Sequence, residues 1–517
     1  MKRHACMSVS WVLSGGLALA FGVGVGCSGA PGTPETPGPA AKPGLEPVAQ
    51  PQEDRSQAVS SGEEPAAPAV ELAPCDDPAA QLTCYCTSRN WGDKVAKLSN
   101  IVAPCYPSSV QTSTSIMLGL FSVWSWAAVS WPITKDRQPD YEAKFEARAD
   151  HATVWETWKT NVDVFLPDGR KPPGPESHKR VLPAACKAID EKSAKARYKD
   201  WEKVPADLPP RYLPTYVINQ QPQSVIDKNG QPIRVEIVMN PRAFKYIYDH
   251  QLYSQDGQDR FLHSGQKLDF PRGDFGKDAR GAQFGKAAWR VLGPADNLDD
   301  FHKSWAYVYP AFENGTMKDE CRLVAVGLVG MHLISKLDQA PKWSWLTVEH
   351  AKNAPLRTEV ARAGNDYLFY TPGCAPPRCA AVNQAPHLFP EGGTRPQLSN
   401  IVMEQTWGEG EEDNTPAFRG GAVWANAELA KALPNSVFRH YKLKGTQWFD
   451  DTPRRPTPAI LANSLLEAYS QKESTCIGCH ETAGFTSETP SGERFKETQL
   501  GDFVFVLREA KPELVIE

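Results

Sequence analysis

The sequence predicts an α+β fold. Residues 233–238 alternate between apolar and polar side chains, as in a half-buried strand. Asn240 and Pro241 then supply an N-cap and a first helical residue for a helix over 241–253. Strand and helix patterns follow one another without the regular rhythm of a parallel sheet, which favours α+β over α/β. A chain of 517 residues also exceeds one ordinary domain, so more than one folded part is expected.

The first residues are typical of an exported protein. Lys2 and Arg3 precede a mostly apolar run at 12–25, which is short for spanning a bilayer and predicts a signal peptide over 1–26. A small residue precedes Cys27, as in bacterial lipoproteins, where a cysteine at this place carries the lipid. The alternative is a simple cleaved signal with an incidental cysteine.

Residues 27–74 are predicted to form a lipid-anchored tether. They are rich in proline and, from Ser28 onward, contain no aromatic side chain, so they cannot bury much surface. Leader, candidate lipid cysteine and tether together predict a protein of the bacterial cell envelope. Ser28 resembles the residue at this place in lipoproteins sorted to the outer membrane, so we expect an anchor there, with the protein facing the periplasm.

The charge balance excludes some classes of partner. The chain has 56 Lys and Arg against 61 Asp and Glu, a formal net charge of −5. Without a basic excess, no nucleic-acid partner is expected. The single apolar run near the start also excludes a polytopic membrane protein. Contact with a membrane is therefore expected only through the lipid.

A mixed α+β domain is predicted over 75–395. The run at 121–131 is strongly apolar but too short to cross a membrane, so it is expected in the core. Residues 323–334 are apolar apart from two glycines and His332, which suits one buried strand or two paired strands. Further short strands are expected at 286–292 and 306–309.

Most of the twelve cysteines are expected in disulfides. Cys6 belongs to the leader, Cys27 is the candidate anchor, and Cys476 and Cys479 belong to a separate motif. In an exported chain, the even number that remains predicts up to four disulfides. Cys374 and Cys379 are expected to close their own loop, and those at 75–105 to tie down the start of the domain. The eight are Cys75, Cys84, Cys86, Cys105, Cys186, Cys321, Cys374 and Cys379.

The most specific motif is Cys-Ile-Gly-Cys-His at 476–480. Two thiols three residues apart, followed at once by histidine, are the signature of covalent c-type haem attachment. On one helical turn Cys476 and Cys479 project to the same side, so both sulfurs can reach the vinyl groups of one porphyrin. His480 shares that side and can approach the iron as proximal ligand.

A zinc site, a redox dithiol and a simple disulfide fit the motif less well than haem does. A zinc site needs a fourth ligand, and no second Cys/His pair at finger spacing follows. A thioredoxin-type dithiol needs a βαβ frame, whereas the residues before Cys476 suggest a helix. A disulfide between Cys476 and Cys479 is conceivable but leaves His480 unexplained. Haem attachment is therefore the favoured interpretation.

With this motif the chain resembles a monohaem c-type cytochrome in a large exported bacterial protein. The stretch 461–480, with 244–248, 330–333 and 343–353 upstream, is also similar to a group of uncharacterised bacterial proteins that carry one such motif near the C-terminus. The resemblance implies one haem c, bound covalently by the two cysteines of the motif and ligated by its histidine. It supplies no known substrate.

The cytochrome-like haem domain is predicted to span 396–517 and to be mostly helical. Thr457-Pro458 suits a cap and first turn for a helix through 459–469, whose apolar residues would pack on the porphyrin or on the adjoining domain. Residues 503–507 are expected to form a short buried strand or a last helix. An acidic run at 409–413 is expected to be a solvated loop.

The sixth iron ligand is left open. Small class I cytochromes c carry an axial methionine well after the motif, but the 37 residues after His480 contain neither methionine nor histidine. The ligand must lie upstream, or be lysine, or be water; an empty position would resemble cytochrome c′. The upstream candidates are Met331, His332, His350, His387, Met403 and His440.

Electron transfer is the favoured function, with an unidentified redox protein as partner. The alternatives are a haem enzyme with an open sixth position, acting on peroxide or nitric oxide, and a surface binding lipoprotein with structural haem. Whether the chain is an enzyme stays open, because no Ser/His/Asp set, P-loop or His-Glu-x-x-His motif stands out.

Overall fold

The computed structural model describes residues 115–140, 143, 151–177, 180–214, 225–274, 279–294, 296–313, 316–364, 366–387, 396–405, 422, 425–427, 429–430, 433, 435–450, 455–485 and 501–514. Cys27, the predicted signal peptide and the predicted tether lie outside these residues. No helix within these ranges combines the length and the hydropathy needed to cross a bilayer.

A large, mainly antiparallel sheet organises the described residues. The strands are β1 (Lys159–Thr160), β2 (Arg211–Pro214), β3 (Arg234–Met239), β4 (Gln283–Val291), β5 (Lys303–Tyr309), β6 (Ala311–Glu313), β7 (Thr316–Lys318), β8 (Arg322–Leu337), β9 (Ala340–His350), β10 (Tyr441–Asp450) and β11 (Arg455–Thr457). Seven lie in the order β1-β3-β4-β8-β9-β10-β11, and β5 pairs with β8 and, in parallel, with β2. Strands β6 and β7 form a separate hairpin.

The helices are mostly short and lie outside the sheet. They are α1 (Ser115–Val129), α2 (Asn161–Val164), α3 (Ala184–Lys187), α4 (Glu191–Lys195), α5 (Pro241–Asp249), α6 (Gln255–His263) and α7 (Cys476–His480). Turns of 3₁₀ helix occur at Val154–Thr157, Trp201–Lys203, Leu298–Asp300, Arg357–Arg362, Val437–His440 and Phe505–Glu509. The mixture of helices with an antiparallel sheet confirms the predicted α+β class.

The clearest local patterns are confirmed. Residues 234–238 lie in β3 as predicted, although the strand is buried on both faces rather than half-buried. The Asn240 side chain accepts the N–H of Ala243 at 2.8 Å as the cap of α5. Residues 323–334 form one continuous strand, β8, rather than two. Phe121, Ser122 and residues 125–131 of the apolar run are buried, as predicted, and the run belongs largely to α1.

The two faces of the sheet are covered by different parts of the chain. On β8, Met331 and Leu333 face a core that also contains residues of α1. The intervening Ile334 faces the opposite side and packs with Trp345 and with residues of α5 and α6. Val504, Val506, Leu507 and Ala510 belong to this second core, so this part of the chain lies on the Ile334 face.

The described parts of 396–517 contain both strands and helical turns. Strand β10 pairs with β9, so the predicted parts 75–395 and 396–517 share one sheet. The expected helix through 459–469 is wrong, because 464–473 form turns. Residues 503–507 contain no strand and instead enter the 3₁₀ turn Phe505–Glu509.

Two disulfides are present among the described residues. Cys374 pairs with Cys379, which confirms the predicted local loop, and Cys186 in α3 pairs with Cys321 just before β8. The other predicted partners, Cys75, Cys84, Cys86 and Cys105, lie outside the described residues.

The two disulfides should differ in their contribution to stability. In the chain-entropy account, the Cys186–Cys321 link closes a loop of 135 residues and stabilises by about 5 kcal/mol, against about 2 kcal/mol for the five-residue Cys374–Cys379 loop. Urea unfolding followed by tryptophan fluorescence should show the larger loss for the Cys186→Ala/Cys321→Ala protein. An equal or larger loss for Cys374→Ala/Cys379→Ala would contradict this expectation.

Candidate functional site

The Cys-Ile-Gly-Cys-His motif folds into the single helical turn α7. Thr475 is its N-cap, and its Oγ1 accepts the Gly478 N–H at 3.4 Å. Gln447 of β10 accepts both the Ile477 N–H, at 2.9 Å, and the Thr475 hydroxyl, at 3.2 Å. The Ile477 side chain is fully buried. The two bonds to Gln447 fix the turn to β10.

Gly478 allows the cap to approach closely. A Cβ at this position would lie 2.5 Å from Cγ2 of Thr475. The third residue of the motif must therefore be small for this N-cap to form.

Cys476, Cys479 and His480 all line one cavity. Its floor is the sheet face that carries Ile334, and it consists of alternate residues from four neighbouring strands. Strand register places Ile237 opposite Lys286 and Lys286 opposite His332, and it places Phe284 opposite Ile334 and Ile334 opposite Trp345. These rows, with Val235 of β3, form a continuous and largely apolar floor.

The C-terminal residues form the cover of the cavity. Leu461, Leu466 and the motif contribute one side, and residues 503–506 contribute the other. The volume of the cavity is about 220 Å³. This is many times the roughly 10–15 Å³ that one water needs, so the cavity can hold a molecule much larger than water.

The His480 ring is held in a defined tautomer. Its Nδ1 lies 2.8 Å from the carbonyl oxygen of Phe503, which can only accept, so Nδ1 carries the proton and Nε2 keeps its lone pair. The rings of Trp345 and Phe505 lie 4.6 Å and 4.9 Å away. Burial lowers the pKa of His480 to about 4, so the ring is neutral at pH 7. A neutral imidazole with an available Nε2 is the form that ligates iron.

An unusual turn positions the Phe503 carbonyl. Asp502 and Phe503 have φ of 47° and 67°, in the left-handed region that costs most for bulky residues. Three contacts hold this turn: the Asp502 carboxylate accepts from Lys336 Nζ at 2.5 Å and from the Phe270 N–H at 2.8 Å, and its carbonyl accepts from Trp343 Nε1 at 3.0 Å. The Phe503 carbonyl, which accepts the hydrogen bond from His480, is thus anchored to the sheet.

The two motif cysteines are not joined by a disulfide. Burial raises the pKa of Cys476 well above its ordinary value, so its sulfur is a protonated thiol at pH 7. Cys479 is more exposed and lies nearer the surface. The disulfide alternative for the motif is therefore not what the structure contains. Two reduced sulfurs beside one cavity are the arrangement that thioether formation to a porphyrin requires.

Polar groups occupy one part of the cavity. His332 Nε2 lies 3.0 Å from Glu467 Oε1, and Lys286 is adjacent to His332 in the sheet. Glu509 also lines the cavity and accepts from Asn161 Nδ2 at 2.8 Å. The sequence indicated His332 as a candidate but not Lys286, Glu467 or Glu509. For Lys286 the sequence predicted only that it lies in a strand, and not that it lines a cavity.

Of the six candidate upstream ligands, only His332 lines this cavity among the described residues. Met331 faces the opposite side of the sheet. Met403 is buried in another core, and His387 is exposed at a loop. His350 bonds to the Asp300 carbonyl through Nε2, and its ring stacks on that of His440 at 5.9 Å.

Comparisons with protein-family models, with curated proteins and with solved structures find no match to this chain. Within the described ranges, no three His, Cys, Asp or Glu side chains are grouped so that they could hold a metal ion together. The interpretation of the cavity rests on its own chemistry.

Removal of the Asp502 anchor should destabilise the C-terminal cover. In Asp502→Ala the buried Lys336 keeps only the half-exposed Asp269, at 3.2 Å, as counter-ion. Breaking a buried ion pair of this kind lowers the free energy of unfolding by about 3 kcal/mol. The matched control is Asp249→Ala, which breaks an exposed pair with Lys245 and should cost about 0.5 kcal/mol or less. Similar losses in the two variants, measured by urea unfolding, would show that Asp502 is not an anchor.

Glu509 should make stability depend on pH. Burial raises its pKa from 4.5 to about 7, so the folded protein holds this proton more tightly than the unfolded chain. The resulting stabilisation is complete below about pH 4.5 and is lost as the pH rises to about 7, a change on the order of 2–3 kcal/mol. Glu509→Gln should remove this part of the pH dependence, as judged from the free energies of unfolding of both proteins at pH 5 and pH 8. A variant that loses as much stability as the parent over this range would contradict the assignment.

Proposed function

We propose that the cavity binds one haem c and that the protein transfers electrons. The observation that carries this proposal is the convergence of Cys476, Cys479 and a correctly polarised His480 on one ligand-sized, largely apolar cavity. Haem c needs two thiols on one side of a helical turn and a neutral imidazole with an available nitrogen. The residues present therefore fit the group.

Each residue has a distinct part in binding. Cys476 and Cys479 would supply the two thioether links, and His480 Nε2 would ligate the iron while the Phe503 carbonyl orients the ring. Bound haem supplies an iron that takes up and releases single electrons. The largely apolar floor would limit the access of water to the group, and Cys479, the more exposed of the two cysteines, would be the attachment point nearer the surface.

The envelope location belongs to the same proposal. Haem c is attached outside the bacterial inner membrane, and the leader, Cys27 and the proline-rich residues that follow agree with export and lipid anchoring. We propose an electron carrier that is anchored at the outer membrane by its N-terminal lipid. The haem is attached near the C-terminus, at the helical turn α7. The partner of this carrier is a redox protein of the same compartment.

A haem enzyme with an open sixth position is the second candidate. The specific observation in its favour is the His332–Glu467 pair in the cavity, since such a pair can exchange protons with a ligand on the iron. The two candidates differ in whether a protein side chain occupies the sixth position.

Loss of the motif cysteines should abolish covalent haem. We expect full-length protein, produced in the bacterial periplasm with its haem-attachment machinery, to gain the mass of one haem and to stain for haem after denaturing electrophoresis. Cys476→Ala/Cys479→Ala should lose both properties, because no thioether can form. The control Cys374→Ala/Cys379→Ala removes a disulfide far from the motif in sequence and should keep both. A colourless parent protein of apoprotein mass would refute haem binding.

A further inference from the structure

We infer that His332 is the sixth ligand of the iron, so that the haem is held between two histidines. This inference rests on the proposed haem binding and deepens it, because it decides between a closed electron carrier and an open catalytic site. The position of His332, its hydrogen bond and the nature of the other groups in the cavity all support it.

His332 reaches the cavity from the sheet. It lies in β8 opposite Lys286 of β4 and Thr347 of β9, and alternation along the strand turns it away from the core that contains Met331 and Leu333. His480 reaches the same cavity from the C-terminal cover, through α7. The two imidazoles thus enter one cavity from different walls.

The His332 ring has the partner that a ligand histidine needs. Metal-bound histidines almost always donate their second ring N–H to a carboxylate or a carbonyl, which fixes the tautomer and makes the ligating nitrogen more basic. Glu467 Oε1 lies 3.0 Å from His332 Nε2, and Glu467 Oε2 accepts the Asn463 N–H at 2.8 Å. The carboxylate is thereby fixed before any iron is bound.

The contact with Glu467 also sets the tautomer of His332. A carboxylate accepts hydrogen bonds, so Nε2 of His332 carries the ring proton and donates it to Oε1 of Glu467. Nδ1 is therefore the ring nitrogen that keeps a lone pair for iron.

The remaining polar groups of the cavity are weaker candidates. Among the described residues that line it there is no methionine. Lys286 would have to lose its proton before its nitrogen could donate a lone pair. Glu467 already accepts hydrogen bonds from His332 and from the backbone N–H of Asn463, and Glu509 accepts one from Asn161. Two histidines also give a lower reduction potential than the methionine–histidine pair of small cytochromes c.

The test is the spectrum of the holoprotein and its response to carbon monoxide. Ferric full-length protein with covalent haem should be low-spin, without the absorption band of methionine–iron ligation, and the ferrous form should bind no carbon monoxide. In His332→Ala the ferric iron should become high-spin, and the ferrous form should bind one carbon monoxide per haem. Added imidazole should restore the low-spin spectrum by replacing the missing ring.

The matched control is His387→Ala, which removes an exposed histidine outside the cavity and should leave the spectrum and the lack of carbon monoxide binding unchanged. Glu467→Gln supplies a second measurement that does not remove the ligand. It should keep the haem low-spin but raise the reduction potential, because an amide pulls less on the ring N–H of His332 than a carboxylate does.

The outcomes separate the two proposals. Absence of covalent haem from the parent protein refutes the proposed function itself. Covalent haem that binds carbon monoxide readily in the parent protein, or an unchanged low-spin spectrum in His332→Ala, overturns His332 ligation and leaves haem binding intact. If His332→Ala does not fold, the parent spectrum and the potential of Glu467→Gln still decide the question.

Discussion

The cavity depends on the attachment of the chain's last residues to the sheet through Asp502. The left-handed backbone at Asp502 and Phe503 costs on the order of 1–3 kcal/mol per residue, and such a turn persists only where its surroundings enforce it. Lys336, the Phe270 N–H and Trp343 Nε1 supply that enforcement from the sheet and its neighbouring loop. The same turn presents the carbonyl that orients His480. The ion pair that holds the cover in place therefore also sets the tautomer of the candidate iron ligand.

The sequence allowed the local part of this site to be predicted and not the rest. The spacing of Cys476, Cys479 and His480 specifies one helical turn by itself, and the capped helix after Asn240 is equally local. The floor is not local, because Lys286 and His332 become neighbours only through the pairing of β4 with β8. A one-residue shift in that register would turn His332 to the opposite face. Sequence alone left His332 as one of six candidates for this reason.

The failure of the predicted helix over 459–469 has a tertiary cause. Asn463 donates through Nδ2 to the carbonyl of Val348 at 3.0 Å, and its Oδ1 accepts the Leu465 N–H at 3.0 Å. Ser464 donates its hydroxyl to the buried Glu349 at 2.5 Å. Short polar side chains that bond to nearby backbone groups compete with helix formation, and here β9 offers them buried partners as well. The helical pattern of apolar residues was real, but these contacts determine the conformation.

If the proposed haem is bound, the charges around the cavity would lower its reduction potential. Oxidised haem iron carries one more positive charge than reduced iron, so a nearby ionised carboxylate stabilises the oxidised state in a site of low dielectric constant. Glu467 lines the cavity and accepts from His332, so it would act on a bound iron through this ring as well as through its field. Lys286 opposes this field from the next strand. Because Glu467 bonds directly to the His332 ring and Lys286 does not, the effect of Glu467 on the reduction potential should be the larger of the two.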